Sequence, residues 1–139
     1  MTKVLVSGCF DLMHSGHIAF FETASAYGDL YVAIGSDKTI EELKHRPTVC
    51  GEEERLYLVS SVKYVHKAFI SSGHGMLDFL PELEIIRPDV FVVNEDGASE
   101  AKKQLCEQYG IRYVVLPRTP KGHLPRRSTT DLRQYLMVD

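Results

Sequence analysis

The chain has 139 residues, 44% of them hydrophobic and 25% charged, with a net charge of −3. That length suits one domain, residues 1–139, with a self-sufficient core, and the composition excludes disorder, collagen and coiled coil. No apolar run approaches the roughly 18 residues that cross a bilayer, and the opening MTKVLVSGCF turns polar too soon for a signal peptide.

The net charge conceals an asymmetry. Residues Arg112 to Arg133 carry six bases and one acid, a local +5, so the remainder is −8. A basic cluster on an acidic protein points to a bound anion and away from nucleic acid. Cys9, Cys50 and Cys106 form no CxxC pair, so reduced thiols and a cytoplasmic location are expected.

In chain order, Lys3–Ser7 is a short β-branched run and reads as a buried strand. His17–Tyr27 has a helical apolar period and is followed by Gly28. Leu30–Gly35 is a second strand, and Asp37–Lys44 leads into a basic loop. Glu52–Val62 is a helix whose acidic first turn complements the helix dipole. Tyr64–Ile70 is a strand, Met76–Ile86 a helix with Pro81 in its first turn, and Asp89–Val93 a strand. Ala98–Tyr109 is an amphipathic helix stopped by Gly110, Arg112–Leu116 a strand, and Ser128–Met137 the last helix. Apolar strands alternating with helices predict an α/β doubly wound parallel sheet of about five strands. Ligands on such sheets bind at the carboxyl ends of the strands, so the loops after Ser7, Gly35, Val93 and Leu116 should line the site.

The first of these loops is Gly8-Cys9-Phe10-Asp11-Leu12-Met13-His14-Ser15-Gly16-His17. A helix start presents free N–H groups suited to a phosphate, and His14 and His17 can add donors where charge builds up during phosphoryl or nucleotidyl transfer. Capping histidines are the plainer alternative. A zinc site is not expected, since Asp11 alone is near enough to be a further ligand.

The run Gly8-x-Phe10-Asp11-x-x-His14-x-Gly16-His17 resembles the signature of the cytidylyltransferase-like nucleotidyltransferases. The resemblance implies a Rossmann-like fold in which His14 and His17 contact nucleotide phosphates and stabilise the pentacoordinate α-phosphate. It assigns Gly8, Cys9, Phe10, Asp11 and Gly16 to the nucleotide-binding loop, Phe10 by packing beneath it and Asp11 by ordering it. It implies a loop lysine at the α-phosphate, matched by Lys44, with Lys38 or Arg46 as alternatives. By position it suggests Arg55 and Lys63 for the acceptor side, and the switch-point rule adds Glu95 and Asp96, whose acids could receive the acceptor or a metal. The Asn94-Glu95-Asp96-Gly97 stretch departs from relatives' patterns, which leaves the acceptor open.

Arg118-Thr119 and Arg127-Ser128-Thr129-Thr130 match two halves of one further family motif, with Pro120–Arg126 inserted between them. Ser128 with Asp131 makes a helix-capping pattern, and a helix start bearing hydroxyls is also an anion site. The resemblance places β- and γ-phosphates there, with Arg118 and Arg127 as phosphate contacts. It implies Mg2+, a nucleoside triphosphate (CTP or ATP), a small phosphorylated acceptor such as glycerol 3-phosphate or a sugar phosphate, and a homodimer. CTP is the weakly favoured nucleotide, and an adenylyltransferase of the heptose-phosphate type, in lipopolysaccharide precursor synthesis, is the alternative. A non-catalytic nucleotide-binding module is the rival of another class, disfavoured by the presence of both histidines.

Overall fold

The computed structural model describes residues 1–137. Five strands, β1 (Lys3–Gly8), β2 (Asp29–Ile34), β3 (Lys67–Ile70), β4 (Val90–Asn94) and β5 (Arg112–Leu116), form one parallel sheet in the order β3-β2-β1-β4-β5. Six helices cover it: α1 (Ser15–Ser25), α2 (Asp37–Lys44), α3 (Glu52–Ser60), α4 (Leu80–Ile86), α5 (Glu100–Tyr109) and α6 (Thr129–Leu136). The expected doubly wound, Rossmann-like α/β fold is therefore present. The chain enters at the centre of the sheet, winds outward through β2 and β3, then crosses to β4 and β5. The direction reverses between β1 and β4, where a crevice opens at the carboxyl ends. Among the described residues no helix is long and apolar enough to cross a membrane.

Strand alternation divides the core in two. Val4 and Val6 of β1 join Phe21, Ala24, Val32 and Val59 on the face covered by α1 and α3. Leu5 joins Phe79, Leu83, Phe91, Leu105 and Cys106 on the face covered by α4 and α5.

Three elements differ from the sequence expectation. Asp37–Lys44 is a helix, capped by the Ser36 hydroxyl, which accepts from the Thr39 N–H at 3.2 Å, and closed by His45 in left-handed conformation. Its polar sequence buries only Thr39 and Ile40, too little to register as a period. The third strand is shorter than Tyr64–Ile70, because Val62 to His66 is spent in a turn that leads the chain onto β2. The helix expected from Met76 begins at Leu80, with Pro81 in its first turn as foreseen. Met76 to Phe79 instead form a loop beside the crevice.

Candidate active site

The crevice is a cleft of about 720 Å3. The loops that the switch-point rule selected do line it, through Gly8–Asp11, Gly35, Asn94–Gly97 in part, and Leu116–Pro120. The loop after β3 joins them through Gly75, Met76 and Asp78, which the sequence reading did not anticipate.

The β1–α1 loop is built around its two histidines. Phe10 and Leu12 have positive φ, of 54° and 53°, an uncommon conformation for bulky residues. Phe10 thereby folds back under the loop, against Phe21 and edge-on to His17. A Cβ on Gly8 would lie 2.8 Å from the Phe10 ring, so glycine is required for that packing. Phe10 thus packs as expected. His14 caps α1: its Nδ1 accepts from the Gly16 N–H at 3.0 Å, while His17 Nδ1 accepts from the His14 N–H at 3.1 Å. A Cβ on Gly16 would come within 2.9 Å of the His14 ring, which is why that position has none.

These backbone bonds fix the chemistry of both rings. Each Nδ1 is an acceptor, so in the neutral rings each proton sits on Nε2, the other edge. The rings stack with centroids 3.9 Å apart. Burial, then His14 and Arg118, lower the His17 pKa to about 3. Burial, then Arg118 and Arg127, also lower that of His14. Both are therefore neutral donors at pH 7. His14 Nε2 is buried and has no partner among the described residues, a costly state unless a ligand oxygen accepts from it. Capping and ligand binding use opposite edges of the same ring, so they are not alternatives.

The His17 shift has a measurable consequence. The unfolded chain binds a proton below about pH 6.5 that the folded chain refuses until about pH 3. His17 therefore makes stability fall as pH drops through that window. In urea titrations, the stability of wild type relative to His17→Gln should decline steadily from pH 6.5 downward; a pH-independent difference would mean that His17 is not desolvated.

Asp11 is 3% exposed and organises the loop wholly within the protein. Its carboxylate accepts from the N–H groups of Val49 and Cys50, both at 2.8 Å, and from Arg133 of α6 at 3.4 Å. The Thr129 hydroxyl donates to the Asp11 carbonyl at 3.1 Å, which docks the start of α6 on the first loop. Ser128 caps that helix by accepting from the Asp131 N–H at 3.0 Å. Arg118 donates to Asp96 at 2.7 Å and to the Arg127 carbonyl, and that carbonyl lies beside Gly16. The cleft thus brings together His14, His17, Arg118, Thr119, Arg127, Ser128, Thr129 and Thr130, drawn from both ends of the chain. Lys44 and Arg46 stand at its rim, and Asp96 lines it. Of the inserted residues, Lys121 pairs with Glu22 at 3.0 Å and Arg126 with Glu95 at 3.9 Å, tying the insertion down on both flanks of the cleft.

Three positions suggested for the acceptor do not line the cleft. Arg55 is fully buried beneath it. Its guanidinium donates to the carbonyls of Cys9 (2.8 Å), Gly35 (2.7 Å) and Cys50 (3.0 Å) and to Asp37 (2.8 Å), so every bond it makes is to the scaffold. Lys63 precedes β3 and therefore lies at the amino end of the sheet, over the Tyr64 ring, away from the carboxyl ends. Glu95 faces Arg118 and Arg126 on the outer side of its turn. Conversely, Asp78 and Lys102 line the cleft, and Arg133 of α6 supports it through Asp11, roles that the sequence does not predict. Nothing in their local sequence marks them, since distant parts of the chain give them their place.

Two helix starts, neutral imidazole donors and arginines around one crevice give an α/β domain whose cleft is chemically suited to a phosphate chain. Comparison with known proteins makes this specific. Residues 5–135 match the model of the cytidylyltransferase-like family. An FAD synthase from Aciduliprofundum boonei is 35% identical over 119 residues, 84% of this chain and 77% of its own length. The bifunctional protein HldE of Koribacter versatilis is 42% identical over 98 residues, which are 68% of this chain but only 19% of HldE. Among solved structures, the lipopolysaccharide core biosynthesis protein of Thermoplasma volcanium matches with a TM-score of 0.71 at 26% identity, covering 88% of this chain and 99% of that one. The chain belongs to the cytidylyltransferase-like family and is a nucleotidyltransferase.

Proposed function

We propose that this protein transfers AMP from MgATP to the phosphate of a small acceptor and releases pyrophosphate. The observation that carries the reading is the buried Nε2 of His14, without a partner among the described residues, on a ring stacked against the equally neutral His17 at the start of α1. The choice of ATP over the CTP first favoured leans on the relatives named FAD synthase, since FAD contains an adenylyl group. CMP transfer to glycerol 3-phosphate is the second reading, kept because Pro117-Arg118-Thr119 follows the pattern of those cytidylyltransferases.

In the proposed reaction an acceptor phosphate oxygen attacks the α-phosphorus. A P–O bond forms there, and the bond to the bridging oxygen of the β-phosphate breaks. The nucleophile is already anionic, so no base need remove a proton. The protein has to position the phosphates and stabilise the charge that gathers on the α-phosphate oxygens. His14 and His17 donate to those oxygens, Lys44 approaches from the rim, and Arg127 with the Ser128–Thr130 helix start holds the departing pyrophosphate. Mg2+ enters with the triphosphate, because this ion keeps most of its waters and is bound largely through substrate phosphates.

A thermal-shift series with ATP, CTP, GTP and UTP, each with Mg2+, tests the nucleotide, since a ligand that binds the native state raises the midpoint. ATP should give the largest shift. A larger shift with CTP would move the reading to cytidylyl transfer, and no shift with any would remove it.

A further inference from the structure

Pro120–Arg126, the segment that separates the two halves of the last motif, takes no part in the proposed transfer. Every residue from Lys121 to Arg127 is exposed, so no buried side chain anchors the segment. Its shape is nevertheless defined. Pro120 and Pro125 restrict the backbone on either side of a tight turn. In that turn Gly122 takes a positive φ of 54°, and the Leu124 N–H donates to the Lys121 carbonyl at 3.0 Å.

Lys121 starts this turn and meets both carboxylate oxygens of Glu22, at 3.0 and 3.1 Å. The hydrogen bond from Lys121 holds the Glu22 carboxyl below its usual range. Glu22 stands six residues beyond Gly16 on α1, about 9 Å along the helix axis. The segment therefore leaves Thr119, reaches along α1 to Glu22, and returns to lay the Arg127 carbonyl over Gly16, 3.9 Å from where a Cβ would stand. On the other flank Arg126 faces Glu95 at 3.9 Å, close to the limit for an ion pair. Among the described residues, the Lys121–Glu22 pair is thus the closest ion pair that the inserted segment makes.

We propose that Lys121 and Glu22 are positioning residues for the pyrophosphate side of the site. Their pair clips the inserted segment onto α1 and so sets the gap between the starts of α1 and α6. The inference rests on the transferase reading above, which assigns those two helix starts to the phosphate chain. The segment runs directly into Arg127 and Ser128, so a shift at Lys121 is passed along the chain to the start of α6. The two histidines are insulated from it, because their own backbone hydrogen bonds fix them within the first loop. The clip therefore acts on the β- and γ-phosphates and not on the nucleoside monophosphate part. Neither side chain touches the nucleotide.

The test is calorimetric titration of the protein with MgATP, magnesium pyrophosphate and AMP. Glu22→Lys and Lys121→Glu each turn the pair into a repulsion. Each should raise the Kd for MgATP and for pyrophosphate by about two- to fivefold, the scale of one exposed ion pair, and should leave the Kd for AMP within about twofold. The two reversals change the net charge in opposite directions. If charge acted only at long range, Glu22→Lys would tighten MgATP binding and Lys121→Glu alone would weaken it. Combining both reversals restores a pair with its charges exchanged and should return both constants to within about twofold of wild type. Both positions are exposed, so the unfolding midpoints should stay close to wild type. Tighter MgATP binding in Glu22→Lys overturns the clip. So does failure of the exchanged pair to recover, or an equal loss for AMP and pyrophosphate. Wild-type affinity in both single reversals overturns the clip alone. A wild-type protein that binds none of the three ligands removes the transferase reading, and the clip with it.

Discussion

Replacing Arg55 by Met should cost this protein about 3–5 kcal/mol of folding stability, the scale seen when one side of a buried charged network is removed. The guanidinium is inaccessible to water and serves four acceptors at 2.7–3.0 Å. Three of these are carbonyls, of Cys9, Gly35 and Cys50, and they belong to three separate segments: the first loop, the end of β2, and the stretch before α3. Methionine fills much of the volume but leaves those carbonyls without donors, and each buried unsatisfied group costs about 1–3 kcal/mol. Lysine keeps the charge yet is a point donor on a flexible stem. It cannot reproduce the planar fork, so it should recover only part of the loss. Since small domains are stable by about 5–15 kcal/mol in total, Arg55→Met should sit near the edge of folding. Urea denaturation of both variants measures this. A loss below about 1 kcal/mol for Arg55→Met would show that the carbonyls find other donors and that the network does not hold the cleft floor.

Arg55 also illustrates what could be read from the chain and what could not. The sequence singles it out, but a motif position does not say whether a side chain faces the ligand or the floor beneath it. That is decided by the carbonyls of Cys9 and Gly35, 46 and 20 residues away. Lys63 is different: it stands just before a strand, so it lies at the amino end of the sheet, opposite the loops that form the cleft, whatever motif position it matches. The first loop was legible because its determinants are local: an apolar strand, a glycine that admits Phe10, a glycine that admits the His14 ring, and two histidines three residues apart. The last helix was legible for the same reason, through Ser128 and its first turn. Helix α2 was not, because it buries two residues of eight and is otherwise a charged surface. Asp78 and Lys102 were not legible because nothing in their local sequence marks them, and only the assembled fold brings both to the cleft.

His14→Asn should separate the two functions carried by a single ring. Asparagine is among the best N-caps, so it can accept from the Gly16 N–H as His14 Nδ1 does. Its shorter side chain cannot also present a donor where Nε2 stands. The unfolding midpoint should therefore stay close to wild type, while pyrophosphate release with the preferred acceptor falls by about 100- to 1,000-fold, the usual loss when one preorganised donor to a developing oxyanion is removed. His14→Ala loses the same donor and the cap as well, so it should show that rate loss together with about 1 kcal/mol of destabilisation. The pair of variants thus assigns the stability effect to Nδ1 and the rate effect to Nε2. Because the donor matters most as charge builds on the α-phosphate, kcat should fall more than nucleotide affinity. Activity near wild type in His14→Asn would make His14 a cap alone, and the buried Nε2 would then need another explanation. Loss of folding in His14→Asn but not in His14→Ala would contradict the capping geometry itself.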